Sequence, residues 1–136
     1  MRSVLLVEAD PLTGEVWSAA IAAAGHSVLT ASGMREALMM IRDGGIDAVV
    51  IDAHDPGVGV VELAHGMNAL PDAPPIILAS ASPAAPRMSA RIGAAMFVAK
   101  PCEPVEIVDA IERLIGRVRP LFLADDEPTI RLRQLA

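Results

Sequence analysis

Five short apolar runs divide the chain: SVLLV (3–7), HSVLTA (26–31), IDAVVID (46–52), PIILAS (75–80) and MFVAK (96–100). Each is too short for a stable helix and none alternates cleanly between apolar and polar residues. Continuous runs of this length suit strands covered on both faces, as in a parallel sheet. Helix-like stretches separate them. Asp10 and Pro11 read as an N-cap and a first-turn proline, with Leu12, Val16, Ala20 and Ile21 forming a stripe that stops at Gly25. Ser32 is expected to cap a second helix carrying Leu38 and Ile41 and closed by Gly44-Gly45. DPGVG (55–59) reads as a loop, and VVELAHGMNAL (60–70) as a third helix ended by Pro71. Pro83 and Pro86 leave the next segment loop-like, with a short helix over 86–92. Glu103 and Pro104 open a last helix with Ile107, Ile111, Leu114 and Ile115 on one face and Gly116 after it. The alternation is (βα)₅. It predicts an α/β fold, a doubly wound five-stranded parallel sheet of the flavodoxin-like kind with strand order 2-1-3-4-5 and right-handed crossovers.

Composition narrows the function. The 136 residues suit one domain, and with 53% hydrophobic but only 2% aromatic residues the core must be aliphatic. A net charge of −6 argues against a nucleic-acid groove or an anionic membrane surface as partner. The single cysteine, Cys102, permits no internal disulfide, and MRSVLLVEAD lacks the long apolar stretch of a signal peptide. No window is apolar enough to span a bilayer, so the expectation is a cytoplasmic protein. No GxGxxG or GxxxxGK[ST] follows a strand, which argues against a nucleotide-dependent enzyme.

In doubly wound sheets ligands bind at the carboxyl ends of the strands. Here those ends carry Glu8 and Asp10 after the first run, Asp52 at the end of the third, Ser80 at the end of the fourth and Lys100 at the end of the fifth. Lys100 is the only lysine, against ten arginines. An unpaired buried carboxylate costs several kcal/mol, so Asp52 needs Lys100, a divalent cation shared with Glu8, or both.

With these residues in place, the chain resembles the receiver domain of bacterial two-component response regulators. The matching pieces are VLLVEADP, AVVIDAHDPG, PIILASA and GAAMFVAKP, in the family's order, over roughly residues 3–116. The resemblance implies that Asp52 accepts a phosphoryl group from a sensor histidine kinase, a phosphotransfer protein or a small phosphodonor. It implies Mg2+ held by Asp52, the backbone carbonyl of His54 and the acids after the first strand. Lys100 would hold the phosphoryl oxygens, and Ser80 and Phe97 would be the switch that alters the surface shown to a downstream protein target. No further catalysis is implied, and a homodimer through the fourth and fifth helices stays open.

Three departures mark an atypical member. The usual adjacent acids read Glu8-Ala9, so magnesium binding is expected to be weakened, with Asp10 capping a helix. The loop after Asp52 reads DPGVGV, and His54 is expected to be a solvated loop residue. The prolines in SASPAAPRMSA shorten the fourth helix. An alternative therefore stands: a pseudo-receiver, an interaction module that is never phosphorylated because Ala9 replaces the metal-binding acid. His26 and His65 read as structural, Cys102 as partly buried, and Trp17 and the methionines as core or helix-face material. The receiver is assigned to 1–117. In the tail, 118–136, LFLADDEP echoes the opening VLLVEADP, with Asp125-Asp126 intact. That echo fits a longer tandem protein, a packed extension, or a swap into a neighbouring copy.

Overall fold

The strands form where the apolar runs predict them. The computed structural model describes residues 2–8, 10–54 and 58–116. Of the loop reading at 55–59, residues 55–57 lie outside those residues, as do the three readings of the tail, whereas Val58 and Gly59 are helical and already open the third helix. Strands β1 (Ser3–Val7), β2 (Ser27–Ala31), β3 (Ala48–Asp52), β4 (Ile76–Ser80) and β5 (Met96–Ala99) make one sheet in the order β2-β1-β3-β4-β5. Every adjacent pair is parallel. Helices α1 (Pro11–Ala23), α2 (Met34–Asp43), α3 (Val58–Asn68), α4 (Ala85–Arg91) and α5 (Pro104–Ile115) supply the crossovers.

Burial follows position in the sheet. All residues of β3 and β4 are buried, whereas the edge strands β2 and β5 are mostly half-buried or exposed. Alternation along the strands divides the core in two. Leu5, Val7, Val49, Ile51 and Leu78 face α2, α3 and α4. Val4, Leu6, Val50, Ile77 and Ala79 face α1 and α5, together with Trp17. None of the described helices is long and apolar enough to cross a membrane.

Local chemistry sets the helix ends. Asp10 caps α1, accepting from the Leu12 N–H at 3.3 Å and the Thr13 hydroxyl at 2.7 Å. The Glu106 carboxylate accepts from the Glu103 N–H at 2.8 Å at the start of α5. Gly44 ends α2 at φ 87°, a left-handed conformation that a residue with a β-carbon adopts only with strain.

Two expectations need correction. The buried face of α1 is Gly14, Trp17 and Ile21, while Leu12 is 69% and Val16 48% exposed. Trp17 takes the sheet-facing slot because it has the most apolar area to bury, and Leu12 then lies on the far side of the helix. Ser32 does not cap α2; Gly33 is the N-cap, without a side-chain bond. Ser32 instead donates to the Glu36 carboxylate through its N–H at 2.9 Å and its hydroxyl at 3.3 Å.

The face assignment of α1 is checked by denaturant unfolding. Leu12→Ala should stay within about 0.5 kcal/mol of the parent, whereas Ile21→Ala, fully buried on the same helix, should cost about 2–5 kcal/mol.

Candidate functional site

Strand register brings the polar residues together. Asp52 stands beside Ala79, and Ser80 beside Ala99, so Lys100 follows at the same rim. The ladder continues one step past the strands, with the Ala53 N–H bonded to the Ala79 carbonyl and the Lys100 N–H to the Ser80 carbonyl, each at 3.1 Å. Two inter-strand steps separate β3 from β5 by about 10 Å, a gap that an aspartate and an extended lysine close together. Lys100 Nζ donates to Asp52 Oδ1 at 2.7 Å. Asp52 is 1% exposed, and its Oδ2 is buried without a hydrogen-bond partner among the described residues. One carboxylate oxygen is thus neutralised by the amine while the other keeps its lone pairs.

Ser80 completes the rim from the other face. By alternation with Leu78 it lies on the α4 side of the sheet, as does Phe97, which pairs with Leu78 across the β4–β5 ladder. The Ser80 hydroxyl donates to the His54 carbonyl at 3.3 Å and accepts from the Ser82 N–H at 3.1 Å. The backbone oxygen two residues after Asp52 is therefore already held at the rim, while the His54 side chain is exposed.

The acids after β1 do not gather there. The Glu8 carboxylate occupies the space that a β-carbon on Gly14 would need, folded back along α1. Asp10 is engaged as the α1 cap. Among the described residues no three His, Cys, Asp or Glu side chains cluster to hold a metal ion. His26 is buried with Nε2 3.6 Å from Glu112 Oε2, and His65 lies exposed on α3. Cys102 is half-buried, and burial, reinforced by Glu106, pushes its thiol above the ordinary value.

Sequence reasoning missed one contact. The Trp17 ring lies 5.6 Å, centroid to Nζ, from the Lys100 ammonium. Nothing in the spacing of residues 17 and 100 pairs them; only the packing of α1 on the same face as β5 does.

The receiver-domain family model of the response regulators matches residues 4–112. This chain belongs to that family. The Xanthomonas campestris sensory/regulatory protein RpfC is 30% identical over 106 residues, which are 72% of this chain but only 14% of RpfC. This receiver therefore spans a small part of that relative's length. Among solved structures, a response regulator of Chloroflexus aurantiacus superposes with a TM-score of 0.75 at 28% identity, covering 85% of this chain and 98% of that one. The non-phosphorylated HemR receiver of Leptospira biflexa gives 0.73 at 27%, covering 88% and 98%. The receiver of the Pseudomonas aeruginosa sensor kinase PA1611, solved with magnesium in its own cleft, shares the fold at 24% identity and a TM-score of 0.75, covering 85% and 98%. The receiver fold serves phosphotransfer signalling, and receivers act as phosphoacceptors rather than as enzymes turning over a substrate. This one is atypical in lacking the acidic cluster among its described residues.

The Asp52–Lys100 pair should respond asymmetrically to mutation. Lys100→Ala leaves a buried carboxylate unpaired and should cost about 3 kcal/mol. Asp52→Asn leaves a lysine whose side chain is already 17% exposed and can turn to water, so it should cost less than about 1 kcal/mol. Urea unfolding of both variants checks the order.

Asp10 contributes to the acid limb of stability. The Thr13 hydroxyl holds its carboxyl below the ordinary value of 3.8. Its stabilising contribution is therefore present above that value and fades as pH falls through the lowered folded one. Thermal melts below about pH 4 should fall more steeply in the parent than in Asp10→Asn, which keeps the cap without the titration.

Proposed function

We propose that the chain is a phosphorylation-controlled signalling receiver in which Asp52 accepts a phosphoryl group from a sensor histidine kinase, a phosphotransfer protein or a small phosphodonor. The observation that carries this is the buried carboxylate with one oxygen on Lys100 at 2.7 Å and the other without a hydrogen-bond partner among the described residues. Oδ2 attacks phosphorus in line. The bond from phosphorus to the donor's nitrogen or oxygen breaks, and its electron pair leaves with the donor. The carboxylate becomes an acyl phosphate, and its charge passes to the phosphoryl oxygens. Lys100 follows that charge, and Ser80 turns its hydroxyl from the His54 carbonyl toward a phosphoryl oxygen. Phe97, on the same face as Ser80, then changes the surface shown to a downstream protein target.

The donors fit magnesium in part. Asp52 Oδ2 and the His54 carbonyl stand at the rim, and Glu8 would join them only by leaving Gly14. A cation held by these three would neutralise phosphoryl oxygen charge, with weakened affinity because Ala9 supplies no carboxylate. We assign the receiver to residues 1–117, a limit supported by the match to 112 and by the end of α5 at Ile115, with 118–136 as a separate segment.

A second reading, a pseudo-receiver that binds its partner without being phosphorylated, is favoured by the Glu8–Gly14 packing and the missing acid. Acetyl phosphate with magnesium, followed by intact-mass measurement, separates the two. A gain of one phosphoryl group that disappears in Asp52→Asn is the expected result. A gain seen only in Ala9→Asp establishes the second reading, and no gain in either protein overturns the phosphoacceptor role of Asp52.

A further inference from the structure

We propose that Trp17 is a positioning residue for Lys100, holding the ammonium at the rim by a cation–π contact through the phosphoryl transfer proposed above. The purpose of the amine rests on that reading; the contact itself does not. Three observations converge. Trp17 is 3% exposed and locked in the α1/α5 core among Val4, Leu6, Val50 and Ile77. Its ring centroid lies 5.6 Å from Lys100 Nζ, within cation–π range. The remainder of that core cluster is aliphatic or sulfur-bearing, so the indole is its single aromatic member.

The physical need arises from the chemistry of Asp52. A lysine is a point charge on a flexible four-carbon stem. Before transfer it is tethered to Asp52 Oδ1 at 2.7 Å. Transfer removes that tether, because the carboxylate becomes an acyl phosphate and its negative charge moves onto the phosphoryl oxygens. The attraction of the indole face does not depend on the charge of Asp52. Trp17 therefore keeps the ammonium near the rim while its anionic partner changes, and limits the orientations it must search. An aliphatic side chain of similar bulk fills the same space without the ring quadrupole.

The chain has one tryptophan and one lysine, so each is observed without interference. Lysine labelled with ¹³C and ¹⁵N gives a single side-chain spin system by NMR, and the Trp17 ring current should move its ε-protons upfield. Trp17→Phe should keep most of that shift and Trp17→Leu should lose it. In the acetyl phosphate reaction Trp17→Leu should be slower by about threefold to tenfold, the factor a partly desolvated cation–π contact supplies, and Trp17→Phe should recover most of the rate. Progressive fluorination of the tryptophan weakens the quadrupole while nearly conserving shape, which covers the case in which Trp17→Leu does not fold. A stepwise fall in rate along that series is expected. Unshifted lysine ε-protons in the parent, or a rate indifferent to both leucine and fluorination, overturns the proposal. If the parent takes up no phosphoryl group, the receiver reading fails and the lysine resonance decides the positioning role alone.

Discussion

An ion pair that crosses a whole strand holds the site together. Asp52 and Lys100 belong to β3 and to the turn after β5, with β4 between them, and meet at 2.7 Å. The carboxylate has almost no access to water, so the amine supplies the compensation that solvent does not. The arrangement depends on register. Side chains alternate between faces, so a slip of one residue in β5 would send Lys100 to the α4 side of the sheet and leave Asp52 without its partner. Met96 and Val98 packed on the α1/α5 core and Phe97 on the opposite core would all change faces, which makes such a slip expensive. The aliphatic core is thus the device that keeps two distant charges in reach.

The same alternation separates chemistry from readout. Asp52, Lys100 and Trp17 lie on the α1/α5 side, Ser80 and Phe97 on the α4 side. The groups meet at the rim, where the Ser80 hydroxyl bonds the carbonyl of His54, two residues from Asp52. In the proposed reading, new charge at Asp52 competes with that carbonyl for one hydroxyl proton. A hydroxyl can satisfy one acceptor at a time with its single hydrogen, which turns a graded change of charge into a choice between two rotamers. The short α4, with proline in its first turn, begins five residues after Ser80.

Much of this was legible in the sequence because strands and their ends are encoded locally. Five apolar runs specified the sheet, and the residue closing each run specified the rim. The convergence of Asp52, Ser80 and Lys100 followed from topology alone. What escaped depended on competition between neighbours. Leu12 and Val16 look as apolar as any core stripe, yet the bulk of Trp17 rotates α1 and leaves them outside. Ser32 is a good cap by type, but Glu36 takes both its donors and Gly33 starts the helix. Glu8 sits at the right position for a metal ligand, yet the bare backbone of Gly14 offers its carboxylate another place. No local pattern announces contacts of that kind, or the meeting of residues 17 and 100.

The missing acid has an electrostatic consequence that runs in two directions. A carboxylate removed from the rim weakens its hold on a divalent cation, since hard cations are retained by anionic oxygens. It also removes a negative charge that would repel an incoming phosphoryl group. With Ala9 in sequence, Glu8 drawn back along α1 and Asp10 turned to the helix cap, Asp52 and Lys100 are the charges that meet in direct contact at the described rim. A rim crowded with carboxylates needs a cation before an anion can approach; one with fewer of them needs it less. The demand on the lysine rises accordingly, because less of the charge on the transferred group is met elsewhere. That places a premium on keeping the ammonium fixed, and a buried aromatic face beneath it meets that demand without adding charge.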